Sequence, residues 1–250
     1  MKTTAQKPEV VGAQPAGSSD ERAAAAAVRE MFSAIAPRYD LLNHLLSMNV
    51  DRLWWRRAAG TFRHLLERPG ARVLDLCCGT GDMGLAVRRQ SAKPEIVGAD
   101  FAHPMLRFAS AKVEGKRFRL VEGDALRLPL HDQSFDLVVS AFGFRNLANY
   151  DAGLREIYRV LRPEGEAGIL DFGEPKGAVG AVYAFYFRKV LPKIGTLISG
   201  VRGPYAYLPA SVRRFPEPEE MLDRMRATGF REVSWTPYTF GIAGLYRGKK

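Results

Sequence analysis

The 250-residue chain has little cysteine and little acid. Cysteine occurs only as the adjacent pair Cys77-Cys78. Sequence neighbours suit neither an ordinary disulfide nor the spaced ligands of a zinc site, so neither framework is expected. A reducing compartment is the simplest setting. No apolar run reaches the roughly 18 residues of a membrane-spanning helix, and the first residues lack the apolar core of a secretory signal. The expected location is the cytoplasm, contact with the inner face of the cell membrane included. There are no internal repeats. Hydrophobic residues make up 46% and charged residues 26%, which excludes a disordered chain, a collagen-like fibre and a polytopic membrane protein. Asp and Glu number 27 against 37 Lys and Arg, a net charge of +10. That balance suits polyanions or an anionic membrane surface and does not choose between them.

Residues 1–20 carry Pro, Gly, Ser, Thr, Gln and charge without period, and are expected to form a disordered tail. Residues 21–250 read as a single domain. The alanine run Ala23 to Ala27 follows Asp20, a helix cap, and Pro37 ends or bends the helix. Leu41, Leu42, Leu45 and Leu46 recur at helical steps, and Trp54, Trp55, Phe62, Leu65 and Leu66 continue a helical region to the turn Pro69-Gly70. From residue 72 short apolar runs alternate with helical segments. Strands are predicted at Arg72–Leu76, Glu95–Ala99, Phe118–Val121, Phe135–Ala141 and Ala167–Phe172. Helices are predicted at Asp82–Arg89, from Pro104 to Val113, and at Leu154–Leu161. This is the rhythm of a mostly parallel sheet covered on both faces. Residues 176–215 break it with aromatic and basic residues, among them Tyr183, Phe187, Arg188, Lys189, Lys193, Arg202 and Tyr207. They read as an insertion. A helix over Glu217–Thr228 and two last strands, Phe230–Trp235 and Ile242–Tyr246, close the chain, the strands as an antiparallel hairpin.

The strongest local signal is the apolar strand that runs into Cys77-Cys78-Gly79-Thr80-Gly81-Asp82. Glycines there permit a tight turn and close approach of a ligand to the backbone, and the following helix offers free N–H groups. Gly79-Thr80-Gly81-Asp82-Met83-Gly84 also satisfies the dinucleotide pattern. Asp82, however, places a carboxylate where a diphosphate needs positive potential, and Asp75 adds a second. Two carboxylates suit a ligand bearing an amine and a sulfonium. Asp100, at the end of the next strand, can accept hydrogen bonds from ribose hydroxyls. Gly123-Asp124-Ala125, after the third strand, can read an adenine edge. Taken singly, these residues also read as a structural glycine turn, helix caps and a turn aspartate. Loops at successive strand ends converge on one crevice, so together they indicate a nucleoside site.

These segments resemble the S-adenosylmethionine-dependent methyltransferases of the Rossmann-like class, and more narrowly the ubiquinone/menaquinone-biosynthesis C-methyltransferases. The likeness runs from about Met31 to Lys249. It rests on Met31-Phe32-Ser33, Tyr39-Asp40 with Asn43, Arg52-Leu53-Trp54, Leu74–Asp82, and Phe142-Gly143-Phe144-Arg145-Asn146. It continues through Tyr158–Pro163, Tyr207-Leu208 with Ser211-Val212-Arg213, and Thr239–Ala243. Leu74–Asp82 indicates only the broad superfamily. The Phe142–Asn146 and Tyr207–Arg213 segments are far more specific. Ala141 stands where some members have serine, His44 where aspartate is common, and the cysteine pair where many have Ala and Gly. The pair is therefore read as small apolar packing.

The resemblance implies an α/β fold with a seven-stranded, mostly parallel sheet, helices on both faces and an N-terminal helical lid over residues 21–68. It implies methyl transfer from S-adenosylmethionine to a ring carbon of a polyprenylated quinol. Demethylmenaquinol is favoured, with 2-methoxy-6-polyprenyl-1,4-benzoquinol as the alternative. Thr80, Asp100, Asp124 and Ala125 would contact the donor, Gly79 and Gly81 would shape its loop, and Asp75 would belong to the same site. Tyr39, Arg145 and Asn146 would lie near the quinol, with Arg145 stabilising a developing phenolate. No metal is required. The 183–207 stretch would line a tail channel or rest on an anionic membrane surface. A homo-oligomer is compatible with the sequence. The rivals are a methyltransferase acting on RNA, DNA or another phenol or lipid, an NAD-dependent oxidoreductase and a nucleic-acid-binding module. No nucleic acid partner is expected, because strand four ends in Ala141-Phe142-Gly143-Phe144 rather than the Asn/Asp-Pro-Pro-aromatic motif of base methyltransferases.

Overall fold

The computed structural model describes residues 11–41, 47, 49–175, 177, 180 and 204–250. Helix α1, Glu21–Ile35, starts at Asp20, whose Oδ1 accepts the Ala23 N–H at 2.9 Å. A 3₁₀ turn, Ala36–Arg38, carries Pro37. Two helices follow, α2 over Val50–Thr61 and α3 over Arg63–Leu66. The strand–helix alternation then gives β1 Arg72–Leu76, α4 Asp82–Gln90, β2 Glu95–Asp100, α5 His103–Val113, β3 Phe118–Glu122 and β4 Phe135–Ala141. After a 3₁₀ turn at Phe144–Asn146 come α6 Tyr150–Val160 and β5 Leu161–Phe172. The described chain ends with α7 Pro204–Arg214, α8 Pro218–Thr228, β6 Arg231–Tyr238 and β7 Ala243–Lys249.

The seven strands form one sheet in the order β3-β2-β1-β4-β5-β7-β6. β7 runs antiparallel to β5 and β6, and the other described pairings are parallel. The pleat divides the core into two layers. Leu74, Leu76, Val138 and Ile169 face Leu154, Ile157, Met221 and Met225 of α6 and α8. Val73, Leu137, Val139 and Leu245 face Trp54, Trp55, Phe62, Leu65 and Leu66. Strand order reverses between β1 and β4, so the loops at their carboxyl ends part and leave a crevice there.

The structure differs from these expectations in several places; β6 and β7, for example, end three residues later than the pattern predicts. Helix α6 begins at Tyr150 rather than Leu154, because the Asn149 side chain caps it, accepting the Ala152 N–H at 2.9 Å. β5 begins six residues early, at Leu161, and carries an irregularity in its pairing with β4. Residues 50–66, expected in the lid, cover one face of the sheet instead; among the described residues of that region, α1 and the turn after it lie across the crevice. Residues 11–20, read as tail, run beside the body: Ala13 is buried and donates its N–H to the Leu147 carbonyl at 2.8 Å. The helix suggested by Leu42, Leu45 and Leu46, and most of the 176–215 insertion, lie outside the described residues.

Helix α4 meets the sheet through Gly84, where an added Cβ would stand 2.4 Å from the Phe118 ring. Gly84→Ala should lower the unfolding free energy by about 1–2 kcal/mol, because overpacking outweighs the gain in helix propensity. The urea midpoint measures this, and an unchanged midpoint would show that the Phe118 ring gives way freely.

Candidate active site

The crevice is lined by Ala99, Asp100, Asp124, Ala125 and Asn146 from the strand ends, with Tyr39 and Phe32 closing it from the lid. The glycine loop forms its floor. Gly79 and Gly81 both take left-handed φ values, 53° and 88°. Gly79 lies under the Tyr39 ring, 3.8 Å from where a Cβ would be. Gly81 does not line the crevice; its backbone conformation turns the chain into α4. Asp100 pins the loop: its Oδ2 accepts the Gly79 N–H and its Oδ1 the Ala102 N–H, each at 2.9 Å. Burial raises its pKa above the ordinary carboxylate value. Asp124 accepts the Leu126 N–H at 2.9 Å and faces the same crevice. Burial pushes both Cys77 and Cys78 thiols well up, which suits packing and leaves little thiolate for redox chemistry.

Asp75 and Thr80 are not in the crevice lining. Asp75 is fully buried, and its Oδ2 accepts the Gly84 N–H at 2.7 Å while its Oδ1 has no partner. Desolvation by burial lifts its pKa to about 8. At neutral pH it is a neutral acid bracing α4, not a second anion for a ligand. Thr80 donates its hydroxyl to Asp40 at 2.6 Å. Lys112 on α5 bridges Asp40 and Asp82, 2.8 Å from each. This knot fastens the end of the lid to the glycine loop. Asp40 and Lys112 were not singled out for this role by the sequence reading, because their pairing joins residues 72 positions apart.

Arg145 is also withdrawn from the crevice lining. Its N–H and its Nη1 donate to the two oxygens of Asp171 at 2.9 Å, and Nη1 also donates to the Phe142 carbonyl. The guanidinium lies 5.1 Å from the centre of the Phe172 ring. Its buried Nε has no partner among the described residues. Asn146, next in sequence, lines the crevice and carries a buried Oδ1 without a partner. Asp171 was missed. Its signal was present, because it stands at the carboxyl end of β5 as Asp75 and Asp100 stand on β1 and β2. Of the aromatic and basic stretch, residues 181–203 lie outside the described residues.

Asp75 gives the stability a pH dependence. Unfolded, it ionises near about 3.9; folded, it keeps its proton to about pH 8. The unfolded chain then binds fewer protons, so stability falls from about pH 4 to about pH 8, by up to roughly 1.4 kcal/mol per pH unit, and levels off above. Asp75→Asn keeps an acceptor for Gly84 and should flatten that slope. Urea unfolding at several pH values compares the two, and a parental slope in the variant would assign it elsewhere.

A narrow crevice at a topological switch point, with carboxylates on successive strand ends, suits a cationic nucleoside. Comparison with known proteins agrees. The ubiE/COQ5 methyltransferase family matches residues 18–250. The demethylmenaquinone methyltransferase of Deinococcus radiodurans is 51% identical over 239 residues, 94% of this chain and 97% of the relative. That of Thermus thermophilus is 50% identical over 223 residues, 88% of this chain and all of the relative. Among solved structures, a SAM-dependent methyltransferase from Thermotoga maritima superimposes with a TM-score of 0.62 at 20% identity, covering 89% of this chain and 99% of that one. The fold, the converging strand ends and the match along nearly the whole chain lead to one conclusion: this chain belongs to the ubiE/COQ5 methyltransferase family.

Proposed function

We infer that the protein transfers the methyl group of S-adenosylmethionine to a ring carbon of demethylmenaquinol. The observation that carries this reading is the pairing of a two-carboxylate crevice with the unpartnered polar atoms of Asn146 and Arg145 beside it, in a chain half identical to two demethylmenaquinone methyltransferases. The residues fit the donor chemically. Asp100 keeps lone pairs for ribose hydroxyls, Asp124 and the Ala125 backbone meet the base, and Ala99, Met105 and Leu126 supply apolar walls. The net negative lining favours a sulfonium. When bound, S-adenosylmethionine supplies an electrophilic methyl group that needs no further activation.

The chain's own residues then act on the quinol. A phenolic hydroxyl with a pKa of about 10 is mostly protonated at neutral pH; it first loses its proton to water, the phenolate then gives its electron pair to the neighbouring ring carbon as that carbon takes the methyl group, and the ring proton leaves to water to restore the aromatic quinol. Arg145 Nε–H donates to that oxygen as charge develops. Its Nη1 is held by Asp171 and the Phe142 carbonyl, so the guanidinium is oriented in advance. Asn146 Oδ1 accepts the hydroxyl and orders the ring. Tyr39 covers the glycine loop and excludes water. With α1 in place the crevice keeps a free volume of only about 50 Å³, far below the roughly 300 Å³ of a small-molecule site. Donor entry therefore requires the lid to lift, and the Asp40–Thr80–Lys112 knot is one of the contacts that must open.

Arg145→Lys should lower turnover more than about 100-fold, about 2.7 kcal/mol of transition-state stabilisation, with donor affinity nearly unchanged. Single-turnover methyl transfer and calorimetry measure the two, with demethylmenaquinol and the benzoquinol compared under reducing conditions. Full turnover in the variant removes Arg145 from the chemistry. The protein also meets an anionic membrane surface, where its acceptor's tail resides. The +10 charge supports this, and among the described residues no helix is long and apolar enough to cross a membrane. Co-sedimentation should rise with the anionic lipid content of vesicles and fall with salt; indifference to lipid charge counts against it.

A further inference from the structure

A second cavity, of about 430 Å³, opens on the far side of the Arg145 region at the ends of β5 and β6. Its described lining is aromatic and proline-rich: Phe172, Phe215, Trp235, Pro237, Phe240 and Tyr246. Glu174, Arg213 and Glu217 are its charged groups. Protein interiors are close-packed, so an apolar space this large lacks dispersion contacts that its walls would otherwise make.

The cavity shares a wall with the donor crevice. Phe142 lines the crevice and Phe172 lines the cavity, and their rings stand 4.5 Å apart. Arg145 lies against the same Phe172 ring. Trp54 packs on both phenylalanines, at 5.8 and 6.2 Å, and its Nε1 donates to Thr239 Oγ1 at 2.8 Å. That bond holds the turn that presents Phe240. Phe240 takes left-handed backbone angles, φ 57° and ψ 22°, and is 80% exposed. A bulky residue there is strained, and exposure of its ring adds to the penalty.

We propose that this second cavity binds the isoprenoid chain of the methyl acceptor, an assignment that rests on the quinol reading above. A quinol ring held at Arg145 and Asn146 directs a substituent past Phe172 into the cavity. A lining of aromatic rings and prolines suits a long, uncharged, unsaturated hydrocarbon. Phe240 stands at the edge of the cavity and covers the chain where it leaves the protein.

Two variants test this. Phe240→Asn removes the ring and suits the left-handed backbone, and Val212→Phe fills the cavity from α7. Farnesol, an isoprenoid alcohol without a quinol ring, should quench tryptophan fluorescence saturably in the parent, and at least about tenfold more weakly in both variants. The ratio of kcat/KM for demethylmenaquinol to that for the same naphthoquinol ring without its tail should fall about tenfold in both variants. Farnesol binding and a substrate ratio unaltered in both variants would overturn the assignment. A parent that binds farnesol yet methylates neither quinol overturns the quinol reading and keeps an isoprenoid site. Sedimentation that shows a dimer lost in Phe240→Asn would make the cavity an interface between copies and overturn the assignment.

Discussion

The buried pair of Arg145 and Asp171 is the constraint on which both cavities depend. It joins the turn after β4 to the end of β5 by two hydrogen bonds to one carboxylate. Removing either partner would strand a charge in a site with almost no water contact, a loss of several kcal/mol in buried pairs of this kind. The same guanidinium holds the Phe142 carbonyl and lies on the Phe172 ring, so it positions both faces of the wall between the donor crevice and the aromatic cavity. Its Nε and the Asn146 Oδ1 are left without a partner among the described residues.

Charge around the donor crevice is arranged in two ranks. Asp100 and Asp124 face the ligand space, and each is held by backbone N–H groups. Behind them Asp75 is neutral at pH 7 because its burial is complete, and it serves α4. Asp40 and Asp82 share Lys112, which offsets their repulsion and ties the lid to the loop. A cationic ligand therefore meets two carboxylates rather than five. Helix α1 and the turn after it rest on the body through this ion pair, the Thr80 hydroxyl, the Asn149–Glu21 hydrogen bond and an apolar cluster of Ile35, Ala36, Ala102 and Met105.

Much of the fold was legible in the sequence because period and punctuation agreed. β1 and β4 appear at their predicted bounds, and Pro104 opens α5 as its φ requires. Boundaries slipped where a side chain far from the apolar pattern decided them, as Asn149 does for α6. Asp100, Asp124, Ala125, Gly79, Asn146 and Tyr39 line one crevice, because each ends or follows a strand or the first helix at one end of the sheet. Asp75, Thr80 and Arg145 were recognised as belonging to the region. Their orientation was not legible, since it follows from partners at Gly84, Asp40 and Asp171.

The sequence by itself determined the strand–helix order, the glycine loop, the excess of cations and the family likeness, because these depend on local spacing and residue type. Only the tertiary structure decided which carboxylates stay charged, which cation is already paired, and where empty space remains. Desolvation, ion pairing and packing depend on groups brought together from distant parts of the chain. Phe142 meets Phe172, and Trp54 meets Thr239, 185 residues away, because the sheet brings their ends to one edge.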